Sequence, residues 1–371
     1  VPGLSPAVSR GPLGGPIGEA DPNSIRWYGP DRPKYKLKME RKVLVTGSNR
    51  GIGLEAAVQF AQSKSIEGSY TYDNVIITAR DTSKGAKAVA EVAKRSGRSA
   101  SDITCVELDL TSHASAKKAV QALPYALDTI ILNAGGLLGE NLTKHGVTEN
   151  FAANVLGHSI LIEGLIEAKK ITSSSTKKEM PRVVFSHSET TRSVWAFMGL
   201  QPFVRLYKDE MASSLVAPPT RGVFGINARQ RMNTYANSKL IGGLYFSALA
   251  REHPEIYFVN VSPGGCGETD VYADAPQPMA FLMSLTIMKW FTSMLGVVHS
   301  AKDAAFRYVR AATLNNFPVL FPSGTVVGGP YFSIAHASGE LFDQSAYSSY
   351  YNDIELQDEA LRIVREAAAL G

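Results

Sequence analysis

From Arg41 onward the chain alternates short, continuous apolar runs with longer stretches of helical periodicity. The runs KVLVT (Lys42 to Thr46), NVIIT (Asn74 to Thr78), TCVELDL (Thr104 to Leu110), DTIILNAG (Asp128 to Gly135), RVVFSHS (Arg182 to Ser188) and IYFVNVSPG (Ile256 to Gly264) predict strands. Strands that are apolar at nearly every position, rather than at every second one, are buried on both faces. With helical stretches such as IGLEAAVQFAQ between them, they predict a doubly wound α/β domain over residues 41–371, a parallel sheet with helices on both faces. VLFPSG (Val319 to Gly324) offers a further strand, and no internal repeat is present.

Three segments depart from this rhythm. Residues 1–40 are rich in Pro and Gly without periodicity and read as an extended arm. Its start at Val1 fits either a mature end left by a removed targeting peptide or an arbitrary boundary. Residues 189–234 hold no strand pattern, carry Trp195, Phe197, Phe203 and Tyr207, and form an insertion long enough to imply function. The stretch PMAFLMSLTIMKWFTSMLGVV (Pro278 to Val298) is broken by Lys289, so it reads as an amphipathic helix or lid able to touch a membrane surface.

Composition narrows the class. A net charge of +4 over 371 residues, with no Lys/Arg block interleaved with aromatics, argues against nucleic acid as a partner. Two cysteines, Cys105 and Cys266, are too few for a disulfide framework and point to a reducing compartment, the cytoplasm or an organelle interior such as a plastid. No metal is expected.

Candidate chemistry begins at TGSNRGIG (Thr46 to Gly53), directly after the first strand and opening a helix. Gly47, Gly51 and Gly53, with Asn49, Arg50 and Ile52 in the same turn, suit the approach of backbone N–H groups to a pyrophosphate. In YANSK, Tyr235 and Lys239 are four residues apart and share a helical face. An ammonium there favours the phenolate and lowers a phenol pKa that is otherwise about 10.

Taken in order, TGSNRGIG, LDL, LNAG, the Asn of NVLGH, a strand-end Ser, YANSK and SPG resemble the short-chain dehydrogenases/reductases, from about Arg41 to the C-terminus. NFAANVLGHSIL and YANSKL look most like the retinol dehydrogenase and protochlorophyllide reductase branch. The resemblance implies that Asp109 and Leu110 lie beside the adenine, and that Asn133, Ala134, Gly135, Pro263 and Gly264 line the cofactor. It implies that the backbone of Asn154 holds a water in a proton relay. Tyr235 would exchange a proton with the substrate oxygen, Lys239 would bind ribose and tune Tyr235, and Ser188 would hydrogen-bond the carbonyl oxygen.

The chain also departs from the family pattern. His187 stands where relatives carry the first of two adjacent serines, and strand alternation sends Ser186 and Ser188 to one face and His187 to the other. In SPGGCGET, Thr269 follows Gly264 by five residues instead of four, which leaves its nicotinamide contact in doubt, and no motif places a base beside Cys266. After the second strand, Ala79 fills the position where an NAD site carries an acid, and Arg80 follows. With Arg50, two guanidiniums suit a 2′-phosphate, so NADP(H) is the expected cofactor. Asp81, past the strand end, is expected to cap the next helix.

The leading expectation is NADPH-dependent reduction of a carbonyl on a bulky hydrophobic substrate, or oxidation of the matching alcohol. A ring C=C reduction of the protochlorophyllide type stands second, since that branch usually has Asp where this chain has Asn237. A third reading is an NADPH-binding structural or regulatory subunit, whose arm and apolar lid would suit docking onto a larger assembly. A homo-oligomer remains open under all three.

Overall fold

Burial on both faces decides where the strands form. Thr129–Leu132, Arg182–Ser186 and Tyr257–Val261 are buried at every residue, so no position is left for an exposed polar side chain. The computed structural model describes residues 41–62, 72–138, 141–171, 180–191, 226–266, 298–329, 341–344 and 349–369. The arm over 1–40, residues 192–225 with the four aromatics of the insertion, Thr269, and the apolar stretch up to residue 297 lie outside the described residues.

The strands are β1 (Lys42–Val45), β2 (Asn74–Ala79), β3 (Ile103–Glu107), β4 (Thr129–Leu132), β5 (Arg182–Ser186), β6 (Tyr257–Val261), β7 (Gly265–Cys266), β8 (Val298–His299), β9 (Val326–Gly328) and β10 (Phe342–Asp343). Among the described residues one eight-stranded sheet runs in the order β10-β9-β6-β5-β4-β1-β2-β3, and β7 and β8 form a separate pair. All pairings in the large sheet are parallel except β10 on β9. The chain winds outward from β1 to β3, then returns to β4 on the other side of β1. That reversal opens a crevice at the C-terminal ends of β1 and β4, where such sheets bind ligands.

The helices are α1 (Gly51–Ala61), α2 (Thr82–Ser96), α3 (His113–Ala122), α4 (Glu149–Phe151), α5 (Gly157–Glu167), α6 (Ile226–Glu252), α7 (Ala301–Thr313), α8 (Phe317–Leu320) and α9 (Ile354–Ala369). A π-helical turn, Ala152–Leu156, joins α4 to α5. Strand alternation divides the core in two. Val43, Val45, Ile77 and Val184 pack with α1, α2 and α7, whereas Leu44, Ile76, Val183 and Phe185 pack with α3, α5, α6 and α9. Each such side chain, fully buried, contributes about 1.5–3 kcal/mol. Side-chain caps start several helices: Asp81 on α2, Ser112 on α3 and Ser300 on α7. Asp81 thus caps the next helix, as its place after the strand predicts.

Two expected boundaries move. Val319 and Leu320 do not form a strand; they sit in α8, 83% and 60% exposed, with Pro318 in its first turn. Proline presets a helical φ there, and the strand comes later, at Val326–Gly328. β5 stops at Ser186 rather than Ser188, because Thr191 N donates to Ser188 O at 3.2 Å and turns the chain away from the sheet. Alternation therefore no longer fixes where Ser188 points.

Candidate active site

The floor of the crevice is the turn between β1 and α1. Ser48 Oγ donates to Val45 O at 2.6 Å and accepts from Thr78 N at 3.0 Å, while Gly47 N donates to Thr78 Oγ1 at 3.0 Å. Asn133 Nδ2 donates to Thr46 O at 3.0 Å, and Ala134 N donates to Thr46 Oγ1 at 3.0 Å. The ends of β1, β2 and β4 are thereby tied into one cradle. Gly47 has φ +64°, and a Cβ there would come within 2.7 Å of Ala134 Cβ. A Cβ on Gly53 would collide with Gly47 O and lie 2.5 Å from Asn133 Nδ2. Only glycine lets the backbone pass this closely.

Helix α1 starts at this turn with no side-chain cap hydrogen bond from Arg50 and no acid in its first turn. Its first N–H groups and the positive end of its dipole face the cradle, a setting that suits a phosphate. Asn49 and Ile52 are partly buried in the turn and Gly51 has φ +58°. The residues present therefore fit a dinucleotide pyrophosphate. At the neighbouring edge Ala79 is buried at the end of β2, and Arg80 and Arg50 are exposed. The Asp81 carboxylate is engaged by α2, accepting from Lys84 N at 2.7 Å, a bond that holds its pKa below the usual range.

Asp109 accepts from Thr111 N and Oγ1 at 3.0 and 2.8 Å, shaping the turn after β3. Leu110 backs directly onto Gly157 at the start of α5, where a side chain would collide with Leu110 O. Asn154 lies in the π turn, fully buried. Its Oδ1 accepts from Gly136 N at 3.0 Å, and its Nδ2 donates to Gly136 O at 2.9 Å and Asn150 O at 2.8 Å. The carboxamide thus clamps Gly136, just after the Asn133–Ala134–Gly135 segment, to the helix, and Gly135 packs against it. One turn on, fully buried His158 places Nδ1 3.3 Å from Asn154 O and Nε2 3.1 Å from Thr46 Oγ1.

Tyr235 and Lys239 come from α6, which crosses β5. Lys239 Nζ donates to Ser186 O at 2.8 Å and lies 5.2 Å from the Phe185 ring and 5.8 Å from the Tyr235 ring. The phenol and the ammonium are brought together as their spacing predicts. Burial, however, pushes the Lys239 pKa down from 10.5 to about 7. The expected tuner is therefore only partly charged near neutral pH, because desolvation disfavours the cation.

The three residues at the end of β5 separate. Ser186 Oγ lies 2.6 Å from Tyr308 OH on the α7 side of the sheet. Burial raises the Tyr308 pKa, and the nearby Tyr235 phenol adds to the rise. His187 turns to the opposite face, edge-on to Tyr351 at 5.4 Å, and its Nε2 would lie 2.7 Å from a Cβ on Gly243. Ser188 Oγ, half-buried, accepts from Thr190 Oγ1 at 2.9 Å and Thr190 N at 3.3 Å.

Pro263 and Gly264 follow β6. Pro263 O accepts from Nη1 of the buried Arg307 at 2.5 Å, and Arg307 Nη2 lies 3.3 Å from His299 Nε2. Cys266 is buried in β7. Sequence reasoning missed Tyr308, Arg307 and His158. Arg307 carried a signal, a charge on the apolar face of α7 beside Ala304 and Ala311. His158 stood inside the NVLGH motif, but Tyr308 had no local signal, since its partner is 122 residues away. Among the described residues no group of three or more His, Cys, Asp or Glu could hold a metal, and no helix is long and apolar enough to cross a membrane.

The site thus consists of a glycine cradle at the switch point of a doubly wound sheet, with the Tyr235–Lys239 pair beside it. The family model for short chain dehydrogenases matches residues 41–200. The short chain dehydrogenase FGM9 of Gibberella zeae is 30% identical over 241 residues, 63% of this chain and 64% of that protein. This chain spans about three fifths of the length of the first curated relatives it matches, 60 to 64%. Among solved structures, a Mycobacterium paratuberculosis protein matches with a TM-score of 0.58 at 20% identity, covering 89% of this chain and 93% of that one. The NADPH-bound carbonyl reductase from chicken fatty liver matches with a TM-score of 0.51 at 17% identity, covering 82% and 99%. These matches support a likeness to the short-chain dehydrogenases/reductases, which the family model carries over residues 41–200.

Proposed function

We propose that this protein is an NADPH-dependent reductase of carbonyls on bulky hydrophobic substrates, or the matching alcohol dehydrogenase, with Tyr235 as proton donor. The observation that carries this reading is the Tyr235–Lys239 pair, 5.8 Å from ring centre to Nζ, beside the glycine cradle. Choice of NADPH over NADH rests on exposed Arg50 and Arg80 flanking a strand that ends in Ala79, with Asp81 turned to α2. The preference for bulky apolar substrates rests on the aromatic insertion and the Pro278–Val298 stretch read from sequence. Residues 41–371 would act as one catalytic domain, with 1–40 as an appended arm.

When bound, NADPH supplies the hydride. Tyr235 gives its phenolic proton to the carbonyl oxygen, and Lys239 stabilises the phenolate that results. An anionic ligand in the crevice would raise the Lys239 pKa and restore its charge where the phenolate forms. Ser188 accepts two hydrogen bonds from Thr190, which leaves its own proton to donate to the developing oxyanion. Ser186, bonded to Tyr308, serves the sheet instead.

Steady-state consumption of NADPH across a panel of hydrophobic aldehydes and ketones tests the proposal. Turnover that depends on the carbonyl supports it. Tight NADPH binding with no turnover on any member would overturn it in favour of a non-catalytic, cofactor-binding subunit.

A further inference from the structure

The His158 ring meets both the glycine cradle, through Thr46, and the carbonyl of Asn154. It is fully buried on the first turn of α5, edge-on to the Phe185 ring at 6.3 Å. Its two nitrogens meet different partners, and those partners fix where its proton must be. A carbonyl oxygen can only accept, so Nδ1, 3.3 Å from Asn154 O, must carry the hydrogen. A neutral imidazole has one N–H, so Nε2 is bare and accepts the Thr46 hydroxyl proton at 3.1 Å; the other acceptor in reach of that hydroxyl, Ile131 O at 3.3 Å, already takes Thr46 N–H at 2.9 Å. Thr46 Oγ1 in turn accepts from Ala134 N at 3.0 Å. The bonds therefore run in one direction, from Ala134 through Thr46 and His158 to the Asn154 carbonyl.

We propose that His158 is a positioning residue which, held as the neutral Nδ1–H tautomer, couples the glycine turn at Thr46 to the backbone carbonyl of Asn154 on the helix that clamps the end of β4. The effect on turnover rests on the function proposed above, whereas the tautomer and the coupling to Thr46 do not. Burial is the main force that keeps the ring neutral, and it pushes the His158 pKa down to about 3. Lys239 on α6, the charged group facing the ring from a neighbouring element, adds to this whenever its amine is protonated, so the ring stays neutral through the physiological range.

The first test is nitrogen NMR of the full chain with isotope-labelled histidine, the His158 signals assigned by their loss in His158→Asn. The expected result is one neutral Nδ1–H tautomer, unchanged from about pH 5 to pH 9. An Nε2–H tautomer, or titration near the ordinary value of about 6.5, would overturn the proposal.

The second test separates the two bonds. His158→Asn keeps a donor at the Nδ1 position, His158→Gln keeps an acceptor at the Nε2 position, and His158→Phe keeps neither. His158→Phe should weaken NADPH binding about tenfold, measured by calorimetry, and lower kcat by about as much. His158→Gln should recover mainly the affinity, and His158→Asn mainly kcat. Equal losses in Asn and Gln variants would indicate a packing role only and overturn the coupling. If wild-type protein turned over no carbonyl, the proposed function would fail, while the tautomer and the affinity split would still decide on His158.

Discussion

Replacing Lys239 with Met should stabilise the cofactor-free protein at neutral pH while destroying its activity. Lys239 is 2% exposed, and its pKa falls from 10.5 to about 7 in the fold. Between those values the unfolded chain binds more protons than the folded one, so stability falls as pH drops from 10.5 to 7 and levels off below. At about 1.4 kcal/mol per tenfold change in the proton equilibrium, holding the ammonium in the fold costs on the order of 4 kcal/mol near pH 7. Methionine removes that cost but leaves Ser186 O without the Nζ–H bond, a loss of about 1–3 kcal/mol. The net gain near pH 7 is therefore about 1–3 kcal/mol, and above the unfolded pKa the variant should be the less stable protein by a similar amount. Urea denaturation of both proteins, from neutral pH to above the unfolded lysine pKa, would show the two stability curves crossing. A difference that stays constant with pH would refute the reasoning, because it would mean that Lys239 is not desolvated.

Two further outcomes follow from the site. NADPH should bind at least tenfold more tightly than NADH, about 1.4 kcal/mol by calorimetry, and Arg80→Asp should erase most of that preference; equal affinities in the wild type would contradict the 2′-phosphate assignment. Ser188→Ala should lower kcat by about a hundredfold, and Ser186→Ala by much less, since the Ser186 hydroxyl is bonded to Tyr308 on the α7 side of the sheet. A reversal of that order in steady-state kinetics would move the oxyanion role to Ser186.

The inner strands were legible because parallel strands buried on both faces leave uninterrupted Val and Ile runs, as in TIIL and NVIITA. The segment at Val319–Leu320 misled for the same reason: an apolar run beside a proline fits an exposed helical turn as well as a strand. The glycine turn and the Tyr235–Lys239 pair were legible because their chemistry needs fixed local spacing. The end of β5 was not, since the turn at Ser188 is set by Thr190 and Thr191 rather than by strand alternation. Nor was the depressed pKa of Lys239 or the bond from Ser186 to Tyr308. Both arise from elements that meet only after folding, and neither leaves a pattern within a window of neighbouring residues.

The most direct test of the central claim compares wild-type protein with Tyr235→Phe, measuring NADPH affinity by calorimetry and carbonyl-dependent NADPH consumption on the same samples. The phenol acts in the transition state rather than in cofactor binding. The variant should therefore bind NADPH within about twofold of wild type and lose about a hundredfold or more of its turnover. A Tyr235→Phe protein that kept most of its turnover would contradict the account.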